Sequence, residues 1–193
     1  MVEGRSLGKI FISYRSSDVP YGACLIDTAL TAHFGEGQVF RDARSLTPGD
    51  DFDPDIMRAV RESTVLLVVI GEGWTGTQSD GSRLLDRPHD FIRREIVEAF
   101  EHDVRVVPVL MGAERLKPAD LPDELRPLAA RQDVRVRWRE SHLDVAALVA
   151  SLTELVPEVA VRDIERPRVT WHAEKVGAVF NDRVDIAGDF NVN

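Results

Sequence analysis

Cysteine is almost missing: Cys24 stands alone in 193 residues. One cysteine excludes an internal disulfide framework and fits a reducing cytosol. Placed on a helical pattern, Cys24 reads as a small buried hydrophobe rather than a reactive thiol. Long apolar runs are missing too. None approaches the ~20 residues that span a bilayer, and Met1-Val2-Glu3-Gly4-Arg5-Ser6 lacks the apolar centre of a signal peptide. A cytoplasmic chain without membrane contact is the expectation. Positive charge is short: 24 Lys and Arg against 33 Asp and Glu leave a net charge of -9. That balance argues against a sequence-independent grip on nucleic acid phosphates. His33, His89, His102, His142 and His172 show no paired spacing of a zinc site, and no metal site is expected. What is present is ordinary for a globular protein, with 44% hydrophobic and 30% charged residues. The length suits one domain with something to spare.

Apolar patterning divides most of the chain into alternating strands and helices. Residues 9–14 form a strand rich in β-branched and aromatic side chains, and Arg15-Ser16-Ser17-Asp18 breaks it. Asp18 or Ser17 is placed to cap a helix over 21–34, in which Ala23, Ile26, Leu30 and Phe34 mark one face. Residues 38–41 give a second strand, followed by a polar loop over 42–51. A helix over 52–62 turns Ile56, Ala59 and Val60 inward. Residues 64–70 are apolar without alternation, the mark of a central parallel strand covered on both faces. The loop 71–87 is long for a strand-to-helix link, where about 2–6 residues are usual. Then come a helix beginning near Pro88, a strand over 104–110, a short helix within 121–131 and a fifth strand over 134–138. A last helix covers 143–156, with Ser141 and Asp144 close to a capping box. Alternation of this kind predicts a doubly wound α/β sheet of about five parallel strands.

In such sheets ligands bind beyond the carboxyl ends of the strands, where the strand order reverses. For the order 2-1-3-4-5 that point lies between the first and third strands. The loops 14–18 and 71–74 flank it, and the helix after the third strand faces it. On that helix Ile92, Ile96 and Ala99 recur at helical spacing as the buried stripe. Phe91, Glu95 and Glu98 form the neighbouring stripe, which puts Glu95 at the border of core and solvent. A carboxylate there is either a plain solvated Glu or the working acid of a site. Gly71-x-Gly73 is no dinucleotide fingerprint, since it lacks the third glycine and an acid at the proper distance. A receiver-like phosphoacceptor shares the fold, but the acidic cluster after strand one and the lysine after the last strand are missing.

Five motifs now stand in order, each on its expected element. They are Phe11-Ile12-Ser13-Tyr14; Phe40-Arg41-Asp42 with Leu46-Thr47-Pro48-Gly49; Val68-Val69-Ile70 with Trp74; Asp90-Phe91-Ile92-Arg93-Arg94-Glu95-Ile96; and Val107-Pro108-Val109. Together they resemble a TIR (Toll/interleukin-1 receptor) domain of the bacterial type, over residues 8–156. The resemblance implies a flavodoxin-like fold of five parallel strands. It also implies an activity, since many bacterial and plant TIR domains cleave NAD+ between nicotinamide and ribose, and some cyclise or isomerise the ADP-ribose. The catalytic Glu of those enzymes sits in an aromatic-x-x-basic-Glu-Ile pattern, which Phe91-Ile92-Arg93-Arg94-Glu95-Ile96 matches. Glu95 is thereby implied as catalytic, and Phe91 stands where Trp is frequent. Phe52 matches an aromatic that shapes the nucleotide site, and Tyr14 and Arg15 match the loop bordering nicotinamide and ribose. Arg15 could instead pair with Asp18. Trp74 is either a wall of the site or a packing anchor. No cofactor is implied, because NAD+ is the substrate.

In this family the Pro48-Gly49 loop commonly contacts a neighbouring subunit, so self-association through TIR–TIR contacts is implied. The resemblance suggests an assembly-activated bacterial immune effector, as in antiviral defence. Its alternative is a non-enzymatic scaffold working through the same contacts. Residues 157–193 fall outside the match, as a charged linker over 162–168 and a strand-turn-strand pattern over 175–187. That segment is too short for its own core. It is either a flexible end or an interaction tail for an upstream activator that adds strands to a partner. Ile186-Ala187-Gly188-Asp189-Phe190-Asn191 is faintly similar to amyloid-type signalling motifs.

Overall fold

The computed structural model describes residues 9–41, 54–157 and 159. Phe52, the Pro48-Gly49 loop and the 175–187 pattern lie outside the described residues.

Five strands build one parallel sheet in the order β2-β1-β3-β4-β5. They are β1 (Ile10–Tyr14), β2 (Val39–Arg41), β3 (Val65–Ile70), β4 (Arg105–Leu110) and β5 (Val134–Arg135). The order reverses between β1 and β3, in agreement with the flavodoxin-like fold that the resemblance implies. β3 is buried along its whole length, and its uniform apolarity resolves into two faces. Val65, Leu67 and Val69 join Ile10 and Ile12 under α1 (Pro20–Phe34) and α5 (Ser141–Leu155). Leu66, Val68 and Ile70 join Phe11 under α2 (Pro54–Arg61) and α3 (Phe91–Glu101). Each such side chain, fully withdrawn from water, contributes roughly 1.5–3 kcal/mol.

Several elements differ from the patterning for identifiable reasons. β5 is two residues long; the Val136 N–H still bonds the Leu110 carbonyl at 2.8 Å, and Trp138–Glu140, expected to begin within the strand, forms a short 3-10 segment before α5. β5 begins opposite Val109, just past Pro108, which offers no N–H to a neighbouring strand. The helix expected within 121–131 is mostly 3-10 turns, at Pro118–Asp120 and Asp123–Leu125, with α4 reduced to Arg126–Ala129. Cys24 is exposed, not buried. The inward side of α1 is Gly22, Ala23, Ile26, Leu30 and Phe34, and Cys24 is rotated about 100° past Ala23. The N-cap of α1 is Val19, and no side chain caps it. Pro20 follows, and its missing N–H removes one of the donors a cap would serve. Likewise α5 starts at Ser141 with Glu140 as N-cap and no side-chain capping bond.

Candidate active site

The site is built where β1 ends, β3 ends and α3 begins. Asp90 caps α3: its backbone is extended and its carboxylate accepts from the Arg93 N–H at 3.1 Å. From that start, Ile92, Glu95, Ile96 and Ala99 are the buried residues of α3. Glu95 therefore belongs to the buried stripe itself rather than to its border, and it is 2% exposed. The spacing 92, 95, 96, 99 is a complete helical face, and only the polarity of Glu95 hid this in the sequence.

A buried carboxylate needs donors, since leaving it without them costs several kcal/mol. Ser13 Oγ donates to Glu95 Oε2 at 2.5 Å, short for an O–H···O bond. Ser13 is itself 1% exposed. Strand alternation explains the meeting. Ser13 pairs in register with Val68, on the face that α3 covers, and it is the first polar residue along β1. In the sequence Ser13 stands within the motif Phe11-Ile12-Ser13-Tyr14. The period of two from Phe11 was the signal that placed it facing α3.

Two further side chains, Arg15 and Asp18, bind the loops around this pair. Arg15, 9% exposed, donates through Nε to the Trp74 carbonyl at 2.7 Å. Its Nη2 lies 3.0 and 3.1 Å from the two Asp90 carboxylate oxygens. Its partner is thus the cap of α3, not Asp18. Asp18 in turn accepts from the Gly71 N–H at 2.8 Å and from the Gly73 N–H at 2.7 Å. The loop after β1 is thereby fastened to the loop after β3 at three points.

The remaining sequence-predicted residues are spread around this centre. Phe91 is half-buried at the first position of α3, one turn before Glu95. Trp74 is 1% exposed, packed among Phe11, Ile70 and Leu85 on the α3 side. Its indole N–H is buried without a hydrogen-bond partner among the described residues. Tyr14 packs on the opposite side of the sheet, toward α1, with the Arg41 guanidinium 5.8 Å from its ring centre. Tyr14 and Glu95 therefore do not share a face, although both lie at the carboxyl end of the sheet. A cavity of about 530 Å³ opens beyond β3 and β4, between Trp74 and Thr75 on one side and Gly112, Arg115 and Lys117 on the other. Its walls do not include Glu95. At the far end of α3, ligand atoms of Glu98, Glu101 and His102 lie within 4.8 Å of one another. Arg61 already bonds Glu98 there at 2.9 Å.

A parallel sheet of this order, flanked by helices on both faces, defines a flavodoxin-like α/β domain, and Ser13 and Glu95 meet near the reversal of its strand order. Residues 10–149 match the model of the TIR domain, and the chain belongs to that family. No curated protein matches it. Among solved structures it is similar to the TIR domains in the activated Roq1 resistosome directly recognizing the pathogen effector XopQ. The identity is 14% and the TM-score 0.49, over 77% of this chain and 99% of that one. No helix among the described residues is long and apolar enough to cross a membrane.

Proposed function

We propose that this TIR domain cleaves NAD+ at the bond between nicotinamide and ribose, with Glu95 as its catalytic residue. The observation that supports it is the buried Ser13–Glu95 pair at the carboxyl end of β1. A preorganised carboxylate, withheld from water, is what an oxocarbenium-like ribosyl centre requires. The bond from ribose C1′ to the ring nitrogen breaks, its electron pair returns to the ring, and neutral nicotinamide leaves. No proton is needed on the leaving group, so one carboxylate serves where ordinary glycosidases use two. Glu95 then balances charge at C1′ and accepts from ribose hydroxyls. A ribose hydroxyl reaching it exchanges with the Ser13 hydroxyl, so the carboxylate keeps a donor throughout. Water, or a group of the same ADP-ribose, completes the reaction at C1′ and loses its proton, giving linear, cyclic or isomeric product. Phe91, Trp74, Tyr14 and Phe52 border the nucleotide in this reading. Assembly through TIR–TIR contacts activates the protein in the cytoplasm, in an immune role against phage, and residues 157–193 take the activating partner.

A second reading is a non-enzymatic scaffold. The 2% exposure of Glu95 favours it, because a carboxylate so covered also suits a purely structural hydrogen bond. The exposed Tyr21, Trp138 and Leu143 would then be the working surface. Nicotinamide release from NAD+ by the concentrated full-length protein, beside Glu95→Ala, separates the two. Release by the wild type alone is expected. Equal release by the variant, or none under any assembling condition, leaves the scaffold.

A further inference from the structure

We propose that Arg15 and Asp90 form a positioning clamp that sets Glu95 against Ser13, and that Arg15 does not hold substrate. The proposal rests on the catalytic reading of Glu95 for its kinetic arm only.

Two rungs join the end of β1 to the first turns of α3. One is Ser13 to Glu95, the other Arg15 to Asp90. Ser13 and Arg15 are two residues apart along the strand direction, a rise of about 6.6 Å. Asp90 and Glu95 are five residues apart along the helix, a rise of about 7.5 Å. The helix runs back against the strand, so the rungs fall in step to within roughly 1 Å. The apolar stripe of Ile92, Ile96 and Ala99 seats α3 on the sheet, and the two polar rungs set the height at which its first turns meet β1. The outer rung is built for rigidity. Both its side chains are at least nine-tenths covered, at 10% and 6% exposure. Asp90 also caps α3, and Arg15 also holds the Trp74 carbonyl. With Nε and Nη2 engaged and the side chain 10% exposed, the guanidinium is committed to the clamp, and the described residues leave only Nη1 over.

The test compares Arg15→Met and Asp90→Asn with the wild-type full-length chain; Asn keeps the cap and removes the charge. Nicotinamide release should show kcat falling roughly 10- to 100-fold with KM nearly unchanged, as expected when a reacting group is displaced by about 1 Å. A raised KM with kcat intact means that Arg15 binds substrate, and overturns the clamp. The second arm needs no activity. Ser13→Ala is introduced into wild type and into Arg15→Met, and urea unfolding is followed by fluorescence. If the outer rung sets the inner one, losing Ser13 should matter less in the Arg15→Met chain, by about threefold or more in the unfolding constant. Strict additivity overturns the proposal. Should Arg15→Met fail to fold, Asp90→Asn takes its place in the cycle. A wild type that releases no nicotinamide ends the NAD+ reading, and the unfolding cycle alone then decides the clamp.

Discussion

Gly71 is the point at which the loop after β3 meets Asp18, and a methyl group there tests the whole fastening. A Cβ added to Gly71 would lie 2.5 Å from Asp18 Oδ1 and 2.8 Å from its Cγ and Oδ2. Real carbons do not come so close, so Gly71→Ala must push the carboxylate off the Gly71 and Gly73 N–H groups, now 2.8 and 2.7 Å away. Hydrogen bonds to a charged group contribute about 1.5–3 kcal/mol each. Asp18 is only half-buried, and water recovers about half of that sum for the displaced groups. Alanine also narrows the unfolded ensemble, offsetting roughly 0.4–1 kcal/mol. A net loss of about 1.5 kcal/mol follows, which lowers Tm by about 3–6 °C for a chain of this size. The sign should reverse once Asp18 is gone. All three close contacts belong to the Asp18 side chain, so Gly71→Ala made in Asp18→Ala should be neutral or slightly stabilising. Urea unfolding of the four proteins at constant m-value measures this. A loss of equal size in both backgrounds would refute the contact as the cause.

Three other outcomes are expected. The carboxyl of Asp144 is held down to about 2 by hydrogen bonds from the Arg137 side chain and then from its backbone N–H. The folded value lies below the unfolded one of about 3.9, so this stabilisation is complete above about pH 4 and disappears as pH falls toward 2. Asp144→Asn should accordingly flatten the acid limb of stability, and identical urea midpoints for both proteins from pH 5 to 2 would contradict it. Gly112 has φ +79, and a Cβ there would lie 3.3 Å from Trp138 Nε1; Gly112→Ala should cost about 1–2 kcal/mol in urea unfolding, and a neutral result would deny the left-handed exit from β4. Phe11 is fully covered while Tyr21 is 86% exposed, so Phe11→Ala should cost about 3–5 kcal/mol and Tyr21→Ser less than about 0.5, read from the same curves.

The sheet was legible because its signals are local. β3 could be read from its uniform apolarity, and β1 from its β-branched run. What escaped was set by distant partners. Glu95 sits on the buried face of α3, but a carboxylate at a core position declares itself only when its donor is known, and Ser13 is 82 positions away in sequence. Asp18 has the local signature of a helix cap, yet Gly71 and Gly73 compete for it and win with two donors instead of one. The sequence leaves Arg15 open to Asp18 or to a ligand, because Asp90, which faces it in the fold, is 75 positions away. Period two along β1 could have separated Tyr14 from Ser13 by face, since neighbours on a strand point apart. The short β5 and the 3-10 turns of 118–125 are tertiary outcomes with no strong local pattern.

The fastening of the loop after β3 has a consequence for how that loop tolerates change in length. Its first residues are held through Gly71, Gly73 and the Trp74 carbonyl, and its last through Asp90, all by the segment 15–18. Between these anchors Leu85 is buried, while residues 78–82 form an exposed tip beyond the Thr77–Arg83 bridge. Closing a longer tip costs only about 0.6 kcal/mol per doubling of its length. Insertions at Asp80-Gly81 should therefore leave Glu95 where it is, and the tip becomes a place where a new recognition element can be grafted without disturbing the anchored ends of the loop.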